Sequence, residues 1–208
     1  MGDFVFLGPS MIELTPAQYA YTPLKVAFMS GLSEPRSCAL TSRQQAFLRS
    51  LAAPESCKVY CNFPFVPTRA IPLPPPPLWK ASLRNTAQFL RARRPGYARR
   101  ARKHLEALSD SADRLVLITL SCGLEIANRC LADLAPGKQI FVFALGPVAW
   151  TRPIYSHVFI QGSRDYVSKL FTRTVDVRLN GVGHLSYLDD PQVSELINDK
   201  LCNSISNS

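Results

Sequence analysis

Leu115-Val-Leu-Ile-Thr-Leu-Ser121-Cys-Gly123-Leu-Glu-Ile-Ala-Asn128 is the stretch on which the fold turns. Six β-prone apolar residues run into a serine, and a glycine follows two positions later, where a helical pattern starts. A continuous apolar run of this length reads as a strand buried on both faces, the kind found in parallel sheets. The turn between strand and helix must be tight, so small residues are needed at its flanks. Such a turn lifts the serine hydroxyl above the carboxyl edge of a sheet and aims helix-start N–H groups at whatever the hydroxyl attacks. The pattern wanted is G-x-S-x-G, and this chain has Thr119-x-Ser121-x-Gly123. Ser-x-Gly alone is common, and Ser121 also suits a simple helix N-cap.

Two later segments repeat the arrangement of a polar residue just past a strand end. His157-Val-Phe-Ile-Gln-Gly-Ser-Arg-Asp165 ends in Asp, and Val175-Asp-Val-Arg-Leu-Asn-Gly-Val-Gly-His184 ends in Gly-x-Gly-His. Asp165 could equally cap the helix that follows it, and His184 could pack at the start of Leu185-Ser-Tyr-Leu. Taken together in the order Ser, Asp, His, the three strand-end motifs resemble those of the α/β-hydrolases over roughly residues 25–200. The resemblance implies an α/β fold, with a mostly parallel sheet flanked by helices. The short spacings between the motifs leave no room for a large lid. It also implies that Ser121 is a nucleophile, His184 its general base and Asp165 the group that orients the imidazole. Two N–H groups would meet the developing oxyanion, those of Cys122 and of Leu32 in the loop Ser30-Gly31-Leu32, each worth about 3–4 kcal/mol where it matters. An ordinary strand-to-helix turn is the alternative for that loop. Cys122 is itself a conceivable nucleophile, but Gly123 favours the serine register.

Around these motifs, strand-like runs alternate with helical ones, the signature of a parallel α/β sheet. Strands are expected at 25–29, 57–62, 115–120, 139–144, 157–161 and 175–180. Helices are expected at 41–51, capped by Thr41 or Ser42, at 79–108 with an interruption at Pro95-Gly96, and at 191–201. Phe4 to Leu7 suits an edge strand and Thr15 to Ala20 a helical turn. Between Phe63 and Leu78 lie seven prolines, which exclude regular structure. That segment leaves a strand on the side of the serine turn, so it reads as a wall or flap over an acyl pocket, or as a rigid spacer.

At 208 residues, 47% hydrophobic and 19% charged, the chain suits a single globular domain spanning 1–208. No apolar run is long enough to cross a membrane. The N-terminal residues match neither a signal peptide nor a myristoylation site. Six cysteines, at 38, 57, 61, 122, 130 and 202, include no C-x-x-C pair, and the three histidines are far apart, so neither a metal nor another cofactor is expected. Cys57 and Cys61 are expected on one strand face. Unpaired thiols suit a reducing cytoplasm.

The net charge of +9 has one origin. Lys80, Arg84, Arg91, Arg93, Arg94, Arg99, Arg100, Arg102 and Lys103 contribute nine cations between 80 and 103 with no acid among them. The segment is either a solvated face or, because like charges three and four apart destabilise a helix, a site for an acidic partner, with Arg93, Arg94, Arg99 and Arg100 as the core. An acyl carrier protein, a phosphate-bearing thioester, nucleic acid and an anionic membrane all fit in charge. Few aromatics are interleaved for base stacking, which makes nucleic acid the weak option. The expected function is hydrolysis of an acyl ester or thioester, with carrier-bound thioesters first on the strength of the basic segment. The alternatives are a non-catalytic hydrolase-fold protein that binds an acidic partner through 80–103, and a nucleic-acid accessory protein.

Overall fold

A computed structural model describes residues 15–132, 134 and 137–205. Six strands form one all-parallel sheet: β1 (Thr22–Ser30), β2 (Lys58–Asn62), β3 (Ala112–Leu120), β4 (Gln139–Leu145), β5 (Ser156–Gly162) and β6 (Val177–Leu179). Their order is β2-β1-β3-β4-β5-β6. The chain steps outward from β1 to β2, crosses back over β1 to β3, and then runs to the far edge. The direction reverses between β1 and β3, and a crevice opens at their carboxyl ends, the place where ligands bind in open α/β sheets.

Alternation along the central strands divides the core in two. Val26 and Phe28 of β1, with Val116 and Ile118 of β3, face one side, where they meet Phe47 and Leu48 of α1 (Ser42–Ser50) and Val193, Ile197 and Leu201 of α6 (Pro191–Ile205). Ala27, Met29, Leu115 and Leu117 face the other. There they meet Ala101, Leu105 and Leu108 of α3 (Pro95–Asp110) and Leu124, Ile126 and Ala127 of α4 (Gly123–Leu131). The result is a sheet between two helical layers with no large inserted lid, as the sequence pattern predicts.

Local chemistry accounts for most element boundaries. Thr41 caps α1 in a full capping box with Gln44. The predicted interruption at Pro95-Gly96 separates α2 (Leu78–Ala92) from α3, with Pro95 in the first turn of α3, where its missing N–H costs nothing. Three expectations differ from the structure. Thr15 to Ala20 is not helical; the Tyr19 hydroxyl instead ties the chain to the Phe65 carbonyl at 2.6 Å. The sixth strand starts at Val177 rather than Val175, because the Asp176 carboxylate takes the Phe159 N–H at 2.7 Å. Cys57 and Cys61 are both buried but lie in opposite cores, since Cys57 closes a 3₁₀ turn before the strand and the two-residue alternation does not reach it. Phe4 to Leu7 falls outside the described residues. The proline-rich segment divides into a buried and an exposed part. Its first part buries Phe63 and Phe65 in the core beside α3, and Ile71 to Pro75 are exposed.

Candidate active site

Ser121 follows β3 directly and holds φ at 52°, the left-handed region that side chains other than glycine avoid. Strain of this kind is retained where the surroundings over-determine it, and it gathers at functional sites. Here the Ser121 N–H is fixed by the Leu145 carbonyl at 3.1 Å, and the Ser121 carbonyl accepts from Leu124 at 3.2 Å. Gly123 makes the turn possible. A Cβ there would stand 1.9 Å from the Met29 carbonyl oxygen, so α4 can approach β1 only without one. Thr119, the departure from the motif, is fully buried, and its hydroxyl donates to the Phe143 carbonyl at 3.3 Å. The bulkier residue is thus accommodated by a bond to the neighbouring strand.

The three strand-end residues meet. Ser121 Oγ lies 2.9 Å from His184 Nε2, and His184 Nδ1 lies 2.9 and 3.0 Å from the two oxygens of Asp165. An ionised carboxylate can only accept, so Nδ1 carries the ring proton and Nε2 is left to accept from the Ser121 hydroxyl. Asp165 is also the N-cap of α5 (Tyr166–Phe171), accepting from the Ser168 N–H at 2.9 Å. Orienting the imidazole and capping the helix are therefore performed by one carboxylate, and the two readings of Asp165 do not compete. Burial alone would raise its pKa. Hydrogen bonds from His184, the Ser168 N–H and Tyr187 outweigh that and hold the carboxyl below its ordinary range.

Tyr187 is a participant that the sequence does not advertise. Its buried hydroxyl donates to Asp165 Oδ2 at 2.5 Å and accepts from the Gly162 N–H at 2.9 Å. Gly146, at the end of β4 with φ of 54°, is another. A Cβ on it would come within 2.7 Å of Asp165 Oδ2 and 3.2 Å of His184 Nδ1. No spacing rule singles out either residue, since each matters only through chain segments that arrive from elsewhere.

The two N–H groups expected at an oxyanion differ in their surroundings. The Cys122 N–H sits at the first turn of α4, beyond the reach of any helical carbonyl. The Leu32 N–H is taken: it donates to Gln88 Oε1 at 2.7 Å, and the Gln88 amide donates in turn to the Tyr97 hydroxyl at 3.0 Å. Gln88 belongs to α2, which crosses the loop after β1, so the expectation for Leu32 fails through a contact with a distant helix. The thiol of Cys122 is buried against Phe89 and Val148, and burial pushes its pKa up to about 12, which disfavours its thiolate.

No protein-family model matches this chain, and no curated protein matches it either.

Beside the serine turn stands an aromatic cluster. Phe89 of α2, Trp150 after β4 and Phe171 at the end of α5 stand with ring centroids 5.5–6.2 Å apart. The fully buried Glu125 of α4 fixes this loop, accepting from the Trp150 N–H at 3.1 Å while paired with Arg129. Arg93 lies over the Trp150 ring, 5.7 Å from its centroid. Arg94 and Arg99 are exposed and Arg100 is half-buried. Among the described residues, no group of His, Cys, Asp and Glu is arranged to hold a metal, and no helix is long and apolar enough to cross a membrane.

Proposed function

We propose that this chain is a serine hydrolase of acyl esters or thioesters, of the α/β-hydrolase type, with Ser121 as nucleophile, His184 as general base and Asp165 as its orienting acid. One observation carries the reading: an unbroken hydrogen-bonded line from the strained Ser121 through His184 to Asp165, at the carboxyl ends of three strands of one parallel sheet. In the reaction, Ser121 Oγ attacks the acyl carbonyl while its proton passes to His184 Nε2. Asp165 keeps the ring in the required tautomer and stabilises the imidazolium that forms. The charge on the tetrahedral oxygen falls to the N–H groups at the start of α4. Collapse expels the alcohol or thiol, protonated from Nε2, and a water repeats the sequence on the acyl-enzyme.

The Phe89–Trp150–Phe171 cluster supports an apolar acyl group. The cation-rich segment around Arg93, Arg94, Arg99 and Arg100 supports a substrate presented by an anionic body, and no disulfide links the six cysteines, which suits a reducing cytoplasm. A graded series of nitrophenyl acyl esters and acyl thioesters tests the assignment. Wild-type protein should hydrolyse them, and Ser121→Ala or His184→Ala should each cost about 10⁶-fold in kcat. Retained turnover in Ser121→Ala would remove the assignment.

A further inference from the structure

α2 carries two apolar stripes where a surface helix needs one. The inner stripe, which includes Gln88, Phe89 and Ala92, is buried over the loop after β1 and against the aromatic cluster. The outer stripe is Trp79, Leu83, Thr86 and Leu90, spaced four, three and four apart, which forms a single line on the opposite side of the helix. Trp79 is 67% exposed, Leu83 63% and Leu90 58%, and Leu78 at the first turn reaches 74%. Large apolar side chains in one exposed line mark a contact surface.

Charge says what the contact is with. Lys80 is exposed beside the outer stripe, Arg91 is half-buried on the same flank, and Arg93 and Arg94 stand exposed at its C-terminal end. No acidic residue occurs between 80 and 103. Arg84 is engaged elsewhere, paired with Glu34 at 3.3 Å. The outer stripe is a convex ridge, not a groove, and a ridge of Trp and Leu whose only charged neighbours on the helix are cations has the make-up of a helix that lies in a bilayer interface. We propose that α2 docks on an anionic lipid surface, with Trp79, Leu83 and Leu90 entering the boundary between headgroups and acyl chains and Lys80, Arg91, Arg93 and Arg94 over anionic headgroups. Because Phe89 on the inner stripe of the same helix packs with Cys122 beside Ser121, docking brings the serine to lipid-borne acyl groups. That last step rests on the hydrolase reading, whereas the docking rests on α2 alone.

The test uses the full chain carrying Ser121→Ala, so that an error about catalysis cannot disturb it. Partition is measured by cosedimentation with vesicles of phosphatidylcholine alone and of phosphatidylcholine mixed with phosphatidylglycerol. The anionic vesicles should bind the protein and the neutral ones should not. Trp79→Ala/Leu83→Ala/Leu90→Ala together, and Arg93→Glu/Arg94→Glu together, should each weaken binding about tenfold or more. The first set removes only exposed side chains, and circular dichroism checks that the fold is kept. Trp emission should shift to shorter wavelength on binding, and Trp79→Phe should abolish most of that shift. Equal binding to both vesicles would overturn the proposal, as would undiminished binding by the triple variant. So would a failure to bind vesicles combined with charge-sensitive binding to an acyl carrier protein, which would assign the cations to a protein partner.

Discussion

Gly146 is where a single atom would come between Asp165, His184 and Tyr187. Its backbone is left-handed, and its missing Cβ leaves the space in which Asp165 Oδ2, His184 Nδ1 and the Tyr187 ring converge. Gly146→Ala should therefore cost about 1–3 kcal/mol in stability and lower turnover by far more than that destabilisation explains, as read by denaturant unfolding alongside ester hydrolysis. Asp165 adds a pH dependence at the same scale. Its carboxyl is held below the ordinary range in the folded state, so its stabilising contribution is complete above the ordinary carboxylate pKa of about 4. That contribution is lost as pH falls through this range towards the folded value. Tyr187→Phe removes one of the donors that keep the carboxyl ionised. The variant should lose stability at neutral pH, and its unfolding midpoint should fall less steeply on acidification than that of wild type. An acid limb that does not change would show that the tyrosine does not help to hold the carboxylate.

At the scale of elements, the strand–turn–helix of β3 and α4 depends on how closely the helix starts against β1. Gly123→Ala places a methyl group against the Met29 carbonyl, a backbone atom that cannot rotate away. The helix start must move, and with it the Cys122 N–H. The expected result is a loss of about 1–3 kcal/mol or more and, on the proposed hydrolase function, a fall in kcat with little change in KM, since the amide would then serve the developing charge and not the bound substrate. What was legible in the sequence at this scale was local. Apolar strands, the Thr41 cap, the break at Pro95 and the polar residues past three strand ends follow from short-range spacing. What was illegible came from segments meeting across the fold. Gln88 reaches the Leu32 N–H only because α2 crosses the loop after β1, and Phe89, Trp150 and Phe171 meet from three separate elements. Asp176 shortened the last strand through a side-chain bond that competes with the ladder.

Over the whole molecule, sheet order puts the chemistry in one place. The reversal between β1 and β3 opens the crevice beside Ser121, and β5 and β6 deliver Asp165 and His184 to the same edge. Charge is distributed with equal bias. The nine cations of 80–103 leave the rest of the chain neutral, so any attraction to an anionic body would arise from α2, α3 and the junction between them. Adding salt should therefore weaken association with any anionic substrate carrier while leaving turnover of a small neutral ester unchanged, because screening acts on exposed charges far more than on a buried carboxylate. The central claim is that Ser121 is an activated nucleophile, and covalent labelling measures it most directly. Protein treated with a fluorophosphonate should gain the mass of one phosphonyl group, mapped by peptide sequencing to Ser121. His184→Ala should react far more slowly, and Ser121→Ala should gain none. Label on another residue, or none on the wild type, would contradict the account.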